Sequence, residues 1–300
     1  MGIEVKNLSK AYGSQMALNN VSFKINDGEI VGFLGPNGAG KSTTMKIICC
    51  YLNPTSGEVL VNNYSIKTKP TAIKSNIGYL PENNPLYEDM YVKEFLKFIA
   101  GIHKIEDKTK AVEEVIQRVG LSKEAHKKIS QLSKGYQQRV GIAQAIIHDP
   151  KVLILDEPTS GLDPNQLEEI RSLIKELGKD KTVMLSTHIM QEVESICDRI
   201  IIINNGEMVV DQDLENSPSK ELKEQVVIVE FSEKVSRDKL IKAFPKTKIK
   251  KAELQWIIAY KGDKDLRLMI STFAQNNKLH ILEIKKHSDK LEDLFKKVTK

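Results

Sequence analysis

The sequence predicts an α/β protein. A mostly parallel sheet covered by helices is preceded by antiparallel strands, carries a helical stretch and is followed by a small α+β unit. Three observations carry this expectation. A complete phosphate-binding loop, Gly35-Pro36-Asn37-Gly38-Ala39-Gly40-Lys41-Ser42, joins the apolar run Val31 to Leu34 to the helix-compatible segment Thr43 to Leu52, and such a loop needs that strand–loop–helix order. Beyond His148, strand-like and helical patterns alternate through Asp211, which implies parallel strands joined by helices. From Val226 a second series begins in the order βαββαβ, a ferredoxin-like unit.

In chain order, Ile3 to Leu8, Val21 to Ile25 and Glu29 to Leu34 are strand-like, and Asp27-Gly28 is expected as a hairpin turn between the second and third. The early strands are therefore expected as a small antiparallel edge on the larger sheet. Val92 to about His148 is mainly helical. One later helix is sharply marked: Asp163 suits its cap, Pro164 its first turn and Gly178 its end, with Leu167, Ile170, Ile174 and Leu177 on one apolar face. Leu214 to Lys220, with Pro218 among polar residues, reads as a linker, which divides the chain into domains 1–215 and 216–300. The tail then runs as strand Val226 to Phe231, helix Arg237 to Ala243, strands Lys248 to Ala252 and Gln255 to Tyr260, helix Leu266 to Gln275 and strand His280 to Ile284. A last helix, Ser288 to Val298, carries Leu291, Leu294, Phe295 and Val298 on one face.

Bulk properties exclude several classes. With 300 residues, 40% of them hydrophobic, the chain has material for about two ordinary cores. Its longest aliphatic runs, Val152 to Leu155 and Ile200 to Ile203, fall far short of the roughly 20 residues that cross a bilayer. The N-terminus lacks a signal-peptide core, and Lys6 stands where a myristoylation site needs Ser or Thr. Three cysteines, Cys49, Cys50 and Cys197, lie in apolar stretches without metal-ligand spacing, as buried thiols of a reducing compartment do. Net charge is +5, but residues 216–300 hold 20 Lys/Arg against 12 Asp/Glu. Those lysines are interspersed with acids, which reads as a solvated face, and no nucleic-acid partner is expected.

The chemistry begins at the loop 35–42. Its glycines let successive backbone N–H groups aim at phosphate oxygens, Lys41 adds a point charge near the β/γ phosphates, and the Ser42 hydroxyl can reach Mg²⁺. The helix that starts there, with Thr43 in its first turn, favours anions by its dipole. About 115 residues later, Val152 to Leu155 ends in adjacent carboxylates, Asp156 and Glu157. Adjacent strand-end residues point different ways, so Asp156 can hold Mg²⁺ while Glu157 polarises an attacking water. That pairing indicates hydrolysis.

Between them, Leu132 to Ala145 (LSKGYQQRVGIAQA) resembles the signature segment of ABC-type ATPases, and other motifs of that family match in order. Gly35 to Ser42 resembles its Walker A, Glu82 occupies the Q-loop position, Val152 to Glu157 resembles Walker B, Ser160 to Asp163 the D-loop, and His188 the switch histidine. Tyr12 lies where the family stacks an aromatic ring on adenine. The matches span residues 1 to about 212. The resemblance implies a P-loop core with an antiparallel β subdomain and a helical subdomain at about 92–148. It implies ATP and Mg²⁺ as cofactors, and a head-to-tail homodimer in which one P-loop and the partner's Ser133 and Gly135 enclose each ATP. The nucleotide set it implies is Tyr12, Gly35 to Thr43, Ser133 and Gly135; Ser42, Glu82 and Asp156 serve the metal, and Glu157 and His188 the chemistry.

Two departures from the family stand out. Glu82 replaces the usual glutamine and brings a negative charge toward the metal, so altered metal dependence or coupling is expected. The signature reads LSKGY where LSGGQ is commonest, with Lys134 and Tyr136 substituted and Ser133 and Gly135 kept. With the loop Asn83 to Met90 and the α+β tail, the chain looks most like bacterial exporter-type ATPases that work with a separately encoded permease, and within them the gliding-motility-associated branch. The resemblance implies a location on the cytoplasmic face of the inner membrane, held there by the permease. The rival class, a soluble ABC ATPase acting on ribosomes or nucleic acid, predicts two cassettes or a long coiled-coil insertion. The sequence has one cassette and roughly 90 residues between loop and signature.

Overall fold

A computed structural model describes residues 2–214, 224–245, 247–252, 254–262, 265–287 and 291–299. They fall into two compact units, within residues 1–217 and 218–298.

The first unit opens with β1 (Ile3–Tyr12), β2 (Gln15–Ile25), β3 (Ile30–Leu34), α1 (Lys41–Ile48), β4 (Ser56–Val61), β5 (Tyr64–Ser65), α2 (Pro70–Lys74) and β6 (Ile77–Leu80). Helices α3 (Val92–Ile102), α4 (Lys108–Arg118) and α5 (Lys134–Ile146) follow. Then come β7 (Val152–Asp156), α6 (Pro164–Leu177), β8 (Thr182–Ser186), α7 (Met190–Ile196), β9 (Arg199–Asn204) and β10 (Glu207–Asp213). Six strands form one sheet in the order β10-β9-β3-β8-β7-β6, parallel except for β10. Every residue of β3, β7 and β8 is buried, which is why these strands read as unbroken apolar runs rather than alternating ones. The register pairs Asp156 with Ser186 and Phe33 with Ser186. The carboxyl ends of β3, β8 and β7 are therefore level, the edge at which open α/β sheets gather ligands.

The N-terminal strands differ from expectation. They form a separate four-stranded antiparallel sheet, β2-β1-β4-β5, rather than an edge of the large one. Asp27-Gly28 is not a hairpin turn: β2 pairs with β1, while β3 pairs with β8 and β9 in the other sheet. The hairpin is at Gly13-Ser14, between the paired Tyr12 and Gln15. The two sheets share one core, where the Phe23 and Phe33 rings meet at 5.6 Å.

The helical stretch is amphipathic. α3 buries Val92, Phe95, Leu96, Ile99 and Ala100, the i, i+3, i+4, i+7, i+8 face of a docked helix. Asp107 caps α4 by accepting the Lys110 N–H at 3.0 Å, and Asp163 caps α6 by accepting the Gln166 N–H at 2.9 Å. Pro164 opens α6 and Gly178 follows its last residue.

The second unit contains β11 (Glu224–Phe231), α8 (Arg237–Ala243), β12 (Thr247–Ala252), β13 (Gln255–Lys261), α9 (Leu266–Asn276), β14 (Ile281–His287) and α10 (Leu291–Val298). Its antiparallel sheet has the order β12-β13-β11-β14. Val227, Val229 and Phe231 alternate into a core with Leu240, Trp256 and Ile270. The expected linker beyond Leu214 and the expected helical residues Ser288 to Lys290 lie outside the described residues.

Candidate functional site

The loop 35–42 connects β3 to α1. Gly40, at the cap of α1, has φ +108°, and a Cβ there would lie 2.6 Å from Leu18 Cδ2, so both backbone and space require glycine. The Thr44 hydroxyl donates to the Gly40 carbonyl at 2.9 Å, and the Gly206 N–H donates to the Ala39 carbonyl at 3.0 Å, fixing the loop from two sides. Lys41 is buried, and its Nζ donates to the Gly35 and Pro36 carbonyls at 2.7 and 3.2 Å. Burial lowers its pKa, while the charges of Glu157, Asp156 and Glu82 act to raise it. One ammonium thus faces the three acids that follow β6 and end β7.

Ser186, at the end of β8, holds two of the neighbouring groups. Its hydroxyl donates to Asp156 Oδ1 at 2.5 Å and accepts the Glu157 N–H at 3.0 Å. Glu157 has φ +50°, a backbone conformation that non-glycine residues keep only where their surroundings fix it. Its carboxylate is buried and accepts a hydrogen bond from His188 Nδ1 at 2.9 Å. Burial raises the Glu157 pKa, against the opposing pull of His188 and Lys41. His188 is 62% exposed on its side chain, so it can meet a ligand while held by Glu157. The next turn is braced by Thr187, whose hydroxyl donates to the buried Glu192 at 2.6 Å.

The structure therefore brings Lys41, Asp156, Glu157 and His188 into one group, with the charge of Glu82 bearing on it. A desolvated carboxylate held by an imidazole beside a buried ammonium can accept a proton from water next to an anion. The side chains expected to serve a metal, the Ser42 hydroxyl and the Asp156 and Glu82 carboxylates, would all offer oxygen. Among the described residues no cluster of three or more His, Cys, Asp or Glu could hold a metal alone. That fits Mg²⁺, which takes one or two carboxylates and completes its shell with phosphate and water.

Ser133 and Gly135 lie at the start of α5. Ser133 is exposed at the cap of α5, and Gly135 lies against the Gln166 side chain of α6. Tyr12 is 48% exposed at the end of β1, with Lys10 Nζ 5.1 Å from its ring centroid. One residue not singled out from the sequence belongs to the site's framework: Ser186. Its sequence signal is its place two residues before His188.

Over 218 residues the chain is 41% identical to the uncharacterized ABC transporter ATP-binding protein YdbJ of Bacillus subtilis (strain 168), covering 72% of this chain and 70% of that protein. The chain belongs to the ATP-binding protein family of ABC transporters. The family model described as ABC transporter matches residues 18–160. The bacitracin transport ATP-binding protein BcrA of Bacillus licheniformis is 38% identical over 228 residues, covering 74% of this chain and 72% of that one. The dimeric structure of MJ0796, a bacterial ABC transporter cassette, superposes with a TM-score of 0.66 at 32% identity, covering 71% of this chain and 99% of the cassette. A dimeric post-hydrolysis state of that cassette, bound to ADP and Pi, is equally similar. This chain is thus an ABC ATPase, a nucleotide-binding and ATP-hydrolysing subunit of a transporter.

Proposed function

We propose that this chain is the motor of an ABC exporter, closing as a head-to-tail homodimer on ATP and driving a separately encoded membrane permease. The observation that carries the reading is the hydrogen-bonded pair Glu157–His188, on which the buried Lys41 charge bears, together with an exposed Ser133 at the cap of α5. The first half can hold and hydrolyse a phosphoanhydride; the second is useful opposite a nucleotide on another copy.

In this reading Tyr12 stacks on adenine, and the N–H groups of residues 35–43 cradle the phosphates. Lys41 exchanges its two carbonyls for β/γ oxygens. Ser42, Asp156 and Glu82 would hold Mg²⁺, which would supply charge neutralisation at the phosphates. Glu157 orients the attacking water and takes its proton as the water oxygen bonds to γ-phosphorus and the bond to the β–γ bridging oxygen breaks. His188 gives up its hydrogen bond to Glu157 and donates to the γ-phosphoryl group instead. Partner Ser133 and Gly135 close the site over the γ-phosphate.

The permease would engage the loop after Glu82. There Tyr87 (57% exposed) and Phe98 (45% exposed) pack at 5.9 Å, next to a groove of about 270 Å³ lined by Tyr51, Tyr79, Pro81 and Pro85. No helix among the described residues is long and apolar enough to cross a membrane, so in this reading the chain sits on the cytoplasmic face through that partner. The ribosomal or nucleic-acid reading is less well supported: α3 and α4 are 11 residues each, which makes no long coiled coil. Glu157→Gln tests the proposal by size-exclusion chromatography and phosphate release. The variant should bind ATP, form a lasting dimer in MgATP and lose turnover by at least about 10²-fold; normal turnover would remove Glu157 from the role of base.

A further inference from the structure

Glu82 and Glu157 follow different strands, yet the structure joins their turns through α5. The turn carrying Glu82 is closed by the Asn84 N–H donating to the Pro81 carbonyl at 3.0 Å. Asn84 itself has φ +31°, and its side chain enters a notch in α5 that exists because residue 141 is glycine: a Cβ there would lie 2.4 Å from Asn84 Oδ1. In the notch, Asn84 Nδ2 donates to the Gln137 carbonyl at 3.0 Å and reaches Gln138 Oε1 at 3.5 Å. Gln138 is buried, and its Nε2 donates at 2.7 Å to the carbonyl of Pro158, the residue after Glu157. The Glu157 carbonyl in turn accepts the Ser160 N–H at 3.1 Å. One connected path thus runs from the Glu82 turn, across one turn of α5, to the turn that keeps Glu157 in its left-handed conformation.

We propose that Asn84 and Gln138 are positioning residues that lock the Glu157 turn to the Glu82 turn through α5 and so set the rate of hydrolysis. The inference rests on the reading of Glu157 as proton acceptor. Neither residue contacts residues 35–42 through these bonds, so their loss should act on turnover and not on ATP binding. In the full chain, Asn84→Ala and Gln138→Glu should each lower kcat by between about ten- and a hundredfold, with KM for ATP changed by less than about twofold. Gly141→Ala should lower both kcat and Tm, because its methyl displaces the Asn84 side chain. The double variant Asn84→Ala/Gly141→Ala empties and refills the notch, so Tm should return while kcat stays low. A return of kcat together with Tm would make the notch a packing feature and overturn the proposal, as would an unchanged kcat in Asn84→Ala. Glu157→Gln assayed alongside separates the two ideas: normal turnover there sinks the base, whereas a dead Glu157→Gln beside normal Asn84 and Gln138 variants sinks the link alone.

Discussion

Ser186→Ala probes the account where structure and chemistry meet. Ser186 is fully buried, and its hydroxyl is shared between Asp156 Oδ1 at 2.5 Å and the Glu157 N–H at 3.0 Å. Alanine removes both bonds without clash. The bond to the carboxylate is the larger loss, about 1.5–3 kcal/mol for a hydrogen bond to a charged group. The second loss is small, because the Glu157 N–H keeps the Ser186 carbonyl at 3.2 Å. The sum, about 2–3 kcal/mol, corresponds to a drop of about 5–10 °C in Tm for a unit of this size. The assays are thermal melting by far-UV circular dichroism and steady-state MgATP hydrolysis. Turnover should fall about tenfold or more, since the Asp156 carboxylate loses its anchor and the Glu157 backbone loses one of its two acceptors. A melting point within about 1 °C of the parent, with normal turnover, would refute the bridging role of Ser186.

Two further predictions concern charge. His148 is held neutral by burial, its pKa lowered from 6.5 to about 4, with its ring stacked on His103 at 3.8 Å and Nε2 hydrogen-bonded to the Ile77 carbonyl. The unfolded chain takes up that proton below 6.5 and the folded chain only near 4, so stability falls as pH falls through this window. The full shift would be worth about 3 kcal/mol, which part exposure reduces to about 1–2 kcal/mol. His148→Gln should flatten the dependence of urea stability on pH between 6.5 and 4; parallel curves would remove His148 as the cause. Glu82→Gln should shift the Mg²⁺ concentration for half-maximal hydrolysis by up to about fivefold, the effect of one exposed charge of up to about 1 kcal/mol. Superimposable Mg²⁺ titrations would show that Glu82 does not act on the metal.

The legible parts of the sequence are those whose information is local. Gly35 to Ser42 and Val152 to Glu157 are contiguous, and the cap Asp163 sits one residue before its helix. The bridge at Ser186 was not legible because it depends on the register of two parallel strands, which sets Ser186 opposite Asp156 across 30 residues of chain. The Asn84–Gly141 notch depends on how α5 lies against the turn after β6, which no spacing rule encodes. Asp27-Gly28 misleads for a related reason. Its turn chemistry is that of a hairpin, but Ile30 to Leu34 is buried throughout and is taken up by β8 and β9, so tertiary pairing overrides the local signal.

The central claim is that residues 35–42 form half of a site completed by Ser133 and Gly135 of another copy, and mixing two inactive variants tests it most directly. Lys41→Ala lacks a working phosphate loop and Ser133→Arg lacks a working signature, so each alone should hydrolyse no ATP above background. In a mixed dimer, one interface pairs the intact loop of the Ser133 variant with the intact signature of the Lys41 variant. Activity should therefore reappear on mixing, rising with the fraction of mixed dimers. A mixture as inactive as its components, with mixed dimers detected by native mass spectrometry, would contradict the composite site.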